Sequence, residues 1–202
     1  MRSLRASRKI LLSLAVLGAA ASVAGLGTFA SFTSTTSAAH TISSGTVTIA
    51  LGATGASTNR LTVNATNIAP GDTMQRSVDL INSGTIDLAS ITLTTTASPS
   101  SVLDTDATNG LQMTIDHCSA AWTEAGSSPA FTYTCSGTTS TVLASRAIIG
   151  SNMALSNLTA TTNGVTDHLR VTLSLPSAAD NTFQNKTSTV TYAFNATQRA
   201  AT

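Results

Sequence analysis

The chain is short of charge. Of its 202 residues, 10 are Lys or Arg and 9 are Asp or Glu, or 9% in all, where about a quarter is usual for a soluble domain. It also has few aromatics (4%), four prolines and two cysteines. Each shortage excludes something. Disordered chains combine low hydrophobicity with high net charge, and this one is 42% hydrophobic with a net charge of +1. Ala, Glu, Lys, Leu and Arg do not jointly dominate, which argues against a coiled coil. Lys and Arg cluster only at the N-terminus, so nothing is placed to neutralise a run of phosphates and no nucleic-acid partner is expected. Three histidines, His40, His117 and His168, are scattered, with no His-Glu-x-x-His pair to hold zinc beside a general base. No Gly-x-Ser-x-Gly elbow is present. The chain therefore reads as a non-enzyme, with no catalytic, cofactor-binding or metal-binding residues and no cofactor. Hydroxyls fill the gap: 37 Thr and 27 Ser make up close to a third of the residues.

The N-terminal cluster reads as part of a targeting segment. Arg2, Arg5, Arg8 and Lys9 precede an uncharged, apolar run from Ile10 to Gly27, followed by Thr28, Phe29 and Ala30. A basic head, an apolar stretch and small residues at positions −3 and −1 describe a secretory signal peptide over residues 1–30, cut between Ala30 and Ser31. A second cut fits after Ala39, with Ser37 at −3. The run of 18 residues also reaches the lower edge of a membrane span, so an uncleaved anchor is the alternative. Cleavage removes four positive charges and no negative ones, leaving six against nine, a net charge of −3. A secreted location, in an extracellular matrix or at the cell surface, is expected. No membrane contact is expected after cleavage, and a signal peptidase is the expected processing partner.

Export would place Cys118 and Cys135 where thiols oxidise. With 16 residues between them, a disulfide would close a loop worth roughly 3 kcal/mol in the chain-entropy account. Two free buried thiols are the alternative. Two cysteines alone make a poor zinc site, which wants four ligands or three plus water.

Residues 31–44 are small and polar, with Phe32 and Ile42 as their main apolar side chains. They read as an extended arm preceding a single domain over 45–202. Past Gly45 a period of two takes over, the mark of half-buried strands. Val47, Ile49 and Leu51 alternate with Thr and Ala, as do Leu61 and Val63 with Thr62 and Asn64. Met74, Arg76, Val78 and Leu80 form the next set, after the turn Ile68-Ala69-Pro70-Gly71-Asp72. Ile91 and Leu93, then Leu111, Met113 and Ile115, then Phe131 and Tyr133 follow. Leu169 to Leu175 and Val190, Tyr192 and Phe194 complete the series. Short strands separated by Gly, Asn, Ser and Pro turns predict an all-β sandwich, with Thr on its outer faces. Residues 142–157 fit a short helix or an irregular strand.

The remaining polar groupings read as structural. Asp104 and Asp106 share a loop and are expected to be solvated there. Asp116-His117-Cys118 places a His beside the expected disulfide, and Asp167-His168 reads as a strand-edge pair. Trp122 is expected to pack by the disulfide loop rather than to form a sugar site. Asn-x-Thr triplets at Asn64, Asn157, Asn185 and Asn195 arise by chance in so Thr-rich a chain.

Four segments in order resemble the TasA/camelysin family of exported proteins, which are processed by a SipW-type signal peptidase. They are Gly27-Thr28-Phe29-Ala30-Ser31-Phe32-Thr33; Ser44-Gly45-Thr46-Val47-Thr48-Ile49; Ala69-Pro70-Gly71-Asp72 through Asn82-Ser83-Gly84-Thr85-Ile86-Asp87-Leu88; and Asp180 to Asn185 with Tyr192 to Gln198. The segment around Cys118 and Cys135 departs from most of the family and resembles its actinobacterial members. The resemblance implies a jelly-roll-like antiparallel β-sandwich with an extended N-terminal arm. It also implies a subunit of biofilm-matrix filaments, a homopolymer in which the arm adds a strand to the next subunit, with an accessory matrix protein as a possible second component. Phe32 and Ile42 are the arm residues expected to dock. A monomeric or surface-displayed adhesin is the alternative, and a camelysin-like metallopeptidase a weaker one. The peptidase activity attached to camelysin has no zinc motif behind it here. Lys186, the one lysine of the processed chain, makes lysine-linked covalent pili a poor fit.

Overall fold

The structure is a computed structural model that describes residues 44–64 and 68–200. The leader, the Ala30–Ser31 cleavage pair and the arm with Phe32 and Ile42 lie outside the described residues.

Among the described residues ten strands account for nearly half: β1 (Ile49–Leu51), β2 (Thr73–Asn82), β3 (Leu88–Ala97), β4 (Gln112–Cys118), β5 (Thr123–Ser127), β6 (Ala130–Thr134), β7 (Thr139–Ala147), β8 (Gly150–Ala154), β9 (Thr166–Ser174) and β10 (Val190–Gln198). Among the described residues one helical turn, α1 (Val102–Thr105), and a 3-10 turn at Asn181–Phe183 are the helical pieces. The larger sheet runs β1-β2-β9-β4-β7, the smaller β10-β3-β8, and β5-β6 is a separate hairpin. Every described pairing is antiparallel. From β2 to β4, and again from β7 to β10, the chain changes sheet at each step. This is the jelly-roll manner of building a sandwich.

Period-two alternation explains the layers. In β9, Leu169, Val171 and Leu173 are buried while His168, Arg170 and Thr172 are half-buried on the other face. Facing residues continue the row: Val78 pairs with Leu169 and Met74 with Leu173, while Ile115 meets Val171 from the far side. The smaller sheet sends in Ile91, Leu93 and Met153, so one apolar core lies between the two sheets. Each such Leu, Ile or Val contributes about 1.5–3 kcal/mol by leaving water. The entry to β2 is a tight turn. Pro70 supplies its fixed φ, Gly71 takes φ +93°, and the Asp72 amide donates to the Ala69 carbonyl at 2.9 Å. This is the geometry that places glycine third in a type II turn.

A second, smaller cluster sits on the outer face of the larger sheet. Cys118 and Cys135 are bonded, and Cys118, Trp122, Phe131 and Tyr133 are buried together. Trp122 packs beside the disulfide as expected, and its indole N–H donates to the His168 carbonyl at 2.9 Å.

Several expectations are corrected. Residues 61–64 form a turn, not a strand; the local bridge is Asn59 to Val78. The first strand is three residues long, and Val47 and Leu51 are 39% and 36% exposed because β1 borders only the end of β2. Residues 142–157 hold the end of β7 and all of β8, with no helix. Asp104 is buried, not solvated: it closes a capping box with Ser101 at the start of α1. Asp167 and His168 lie on the central strand β9 and face opposite sides, so they are not a strand-edge pair.

Candidate functional site

The chemistry-bearing side chains pair off as structure. Arg60 stacks on Phe131, 4.6 Å from the ring centre, and pairs with Glu124 through two nitrogens at 2.6 and 2.9 Å. The Tyr133 hydroxyl donates to the same carboxylate at 2.9 Å. The hydrogen bond from Arg60 holds Glu124 below the usual carboxylate range against the opposing effect of burial, with Tyr133 helping. Arg170 lies 4.5 Å over Trp122 and donates to Asp116 at 2.8 Å. These contacts fasten the β5-β6 hairpin and disulfide loop onto the larger sheet. Burial pushes the Asp104 carboxyl upward. Hydrogen bonds from Ser100, Ser188 and the Ser101 amide outweigh that and hold it below its ordinary value.

Two His–Asp contacts occupy the larger sheet. His168 Nδ1 lies 2.7 Å from Asp79, its cross-strand neighbour on the outer face. His117 faces inward, with Nε2 3.4 Å from Asp167 and Nδ1 3.5 Å from Ser140 Oγ. Serine, histidine and aspartate in a line invite comparison with a nucleophilic relay, whose contacts run about 2.6–3.2 Å. Both contacts here are longer, and Asp167 already accepts from the Thr159 amide and hydroxyl and the Ala160 amide at 2.6–3.0 Å. The carboxylate is anchoring the 158–160 turn. Among the described residues no three of His, Cys, Asp and Glu converge as metal ligands do.

What the fold leaves available is backbone. The larger sheet ends in β1 and β7 and the smaller in β8 and β10. β1 has three residues. β8 has five, with an interrupted register and Asn152 at φ +49°. β7 shifts register twice against β4 and carries Arg146. Short length, bulges and charge are the usual protections of an exposed edge. β10 is long and uncharged, and its one register shift falls at its last step, between Thr197 and Gln198. It pairs with β3 in unbroken register from Val190 to Thr197, and contains no charge and no proline. Among the described residues nothing pairs with its outer side. Val190, Tyr192, Phe194 and Ala196 point to the core yet are only partly buried. Burial pushes the Tyr192 hydroxyl up to about 12, with the Arg76 charge opposing. Arg76 is itself buried on the core-facing side of β2. It donates to the carbonyls of Val63, Asn64 and Gln75, and burial lowers its pKa.

The start of the described chain is fixed by the connection between β2 and β3. The Thr46 amide donates to Thr85 Oγ1, and Thr46 and Thr48 carbonyls accept from Thr85, Ser83 and Gly84. A side chain at Gly45 would strike Ile86, so the close approach requires glycine. Asp87, in the same connection, accepts from Arg199 just past β10. Residue 44 and the C-terminal end of β10 therefore share one end of the sandwich.

A profile of the camelysin metallo-endopeptidase family matches residues 6–202. The chain belongs to the camelysin/TasA family. No curated protein matches it. The expected family membership and the all-β sandwich thus stand together. Of the singled-out site residues, the structure joins Cys118 to Cys135; Phe32, Ile42, Ala30 and Ser31 are outside its described part. The outer side of β10, with which no described residue pairs, was missed at the sequence level. The signal was there in the uncharged run Val190–Gln198, but sheet order was needed to read it.

Proposed function

We propose that this camelysin/TasA family member is a secreted structural protein, a subunit of extracellular matrix filaments built by N-terminal strand addition. The observation that carries the proposal is the nine-residue edge of β10, long, regular and uncharged, in a fold whose other edges are short, bulged or charged. An extended segment added there gains main-chain hydrogen bonds along its whole length and side-chain contacts at every second residue. Head-to-tail addition of this kind does not close on itself and so propagates. Low surface charge reduces repulsion between stacked copies. On this reading the protein is not an enzyme and its main partner is another copy of itself. The signal peptidase acts by freeing the arm, and a second matrix component is not required for growth.

Negative-stain electron microscopy of pure residues 31–202 beside residues 45–202 tests it. Filaments from the longer form alone are expected. Monodisperse particles from both would contradict self-assembly and favour a surface-displayed adhesive domain.

A further inference from the structure

We infer that the cavity where α1 meets the ends of β3 and β7 is a binding site for a primary alkylammonium group, with Asp104 as its counter-charge. The site is independent of how copies of the chain assemble.

The cavity holds about 500 Å³, within the roughly 300–1,000 Å³ of small-molecule sites. Its walls combine the hydroxyls of Ser100 and Thr105 with the alkyl surfaces of Ala97, Ala147 and Ile149. The charged residue in the wall is Asp104. It is only 5% exposed, and its carboxylate is held in place. Oδ1 accepts from the Ser100 hydroxyl at 2.6 Å, and Oδ2 from the Ser101 amide at 2.7 Å and the Ser188 hydroxyl at 2.5 Å. Each carboxylate oxygen can accept about two hydrogen bonds, so Oδ1 has room for a second donor. None of the three donors is charged. Among the described residues the ion pairs lie elsewhere, on Arg60, His117, His168 and Arg170.

A carboxylate withdrawn from water and answered only by dipoles attracts a cation more strongly than one in solvent does, because the local dielectric is low. Its neighbours add to the field. Asp106 lies between the lining residues Thr105 and Ala107, and Asp180 is close enough for its charge to act on Asp106. The wall then chooses among cations. A metal ion wants several converging ligands, and among the described residues no three of His, Cys, Asp and Glu converge. A guanidinium wants both carboxylate oxygens side by side, and Oδ2 already accepts twice. An ammonium is a compact charge with three donors. Oδ1 and the neighbouring hydroxyls can receive them, while its methylenes lie against Ala97, Ala147 and Ile149.

Titration calorimetry at low ionic strength tests this on the secreted chain, residues 31–202. Pentylamine and Nα-acetyl-lysine amide are the probes, with pentanol and pentanoate as neutral and anionic controls. Both amines should bind at one site per chain, the controls should not, and added salt should weaken the amines. Asp104→Asn should lower amine affinity by at least about tenfold, as loss of a hydrogen bond to a charged group does. Asp104 also closes the capping box of α1, so Ala147→Leu supplies a second reading. It fills the cavity, leaves every charge and the partners of Asp104 in place, and should weaken binding as much. Tighter binding of pentylamine assigns the site to free amines, and tighter binding of the lysine derivative assigns it to a lysine side chain of a partner. Absence of binding by either amine overturns the proposal. So does equal binding of pentanol, and so does amine binding that Ala147→Leu leaves unchanged, which would mean adsorption to surface charge.

Discussion

β9 and β10 are both nine residues long and both alternate in hydropathy, yet they end in different environments. β9 lies between β2 and β4 with the disulfide-bonded loop against its outer face; one face is buried and the other half-buried. β10 has β3 on one side and no described partner on the other, and its core-facing row is only partly buried. The same local pattern therefore serves two purposes. In the centre of a sheet it closes the core. At an uncharged edge without proline, whose outer side no described residue pairs with, it leaves the core-facing row part exposed.

The contrast can be sharpened by deletion. Leu169→Ala should cost about 3–5 kcal/mol, since a fully buried leucine leaves a cavity that the centre of a sheet cannot collapse around. Phe194→Ala should cost the isolated subunit less, about 1–2 kcal/mol, because its ring is already part exposed. Urea unfolding of both variants checks this, and equal losses would mean that β10 is as closed as β9. Assembly should reverse the order of importance, with Phe194→Ala slowing filament growth more than any β9 surface change.

The cover on the larger sheet can be loosened separately. Replacing Cys118 and Cys135 together by Ala should cost about 2–4 kcal/mol and shift the emission of Trp122, the single tryptophan, to the red. Filament growth should survive wherever the fold does, because the hairpin is remote from β10 in the sheet order. Removing Arg60 should lower stability less than losing the disulfide, as its ion pair with Glu124 is exposed and solvent-screened, although its stacking on Phe131 is lost as well. Acid acts through the same groups. Glu124 and Asp104 are held below their ordinary pKa values, so their contribution is complete above the unfolded pKa near 4. It fades as pH falls below that, and denaturation midpoints should drop accordingly. Stability unchanged from pH 5 to pH 2 would contradict these contacts. The smallest effect is expected at Ser140: a fluorophosphonate probe should leave it unlabelled, and labelling lost in His117→Ala would revive hydrolytic chemistry.

Much of the architecture was legible in the alternating runs. Val78 and Leu80, Ile91 and Leu93, and Leu169 to Leu173 face the core as their spacing implies. What escaped depends on partners distant in sequence. Thr123–Ser127 has no apolar alternation and becomes β5 only because Phe131 and Tyr133 hold β6 against the larger sheet. Arg76 sits in an apolar row and is buried there because three backbone carbonyls receive its guanidinium. Asp104 looks like a loop carboxylate until Ser188, far along the chain, donates to it. The candidate site follows the same rule. Its strand was readable in Val190, Tyr192 and Phe194, but no local pattern could reveal that β10 has no second partner among the described residues.

The most direct test of arm-to-edge assembly is a mixing experiment. Residues 45–202 keep β10 but lack the arm, so they can accept a neighbour and cannot extend the chain. Added to growing filaments of residues 31–202, they should shorten them in proportion to the fraction added. Filament lengths indifferent to the truncated protein would contradict the account.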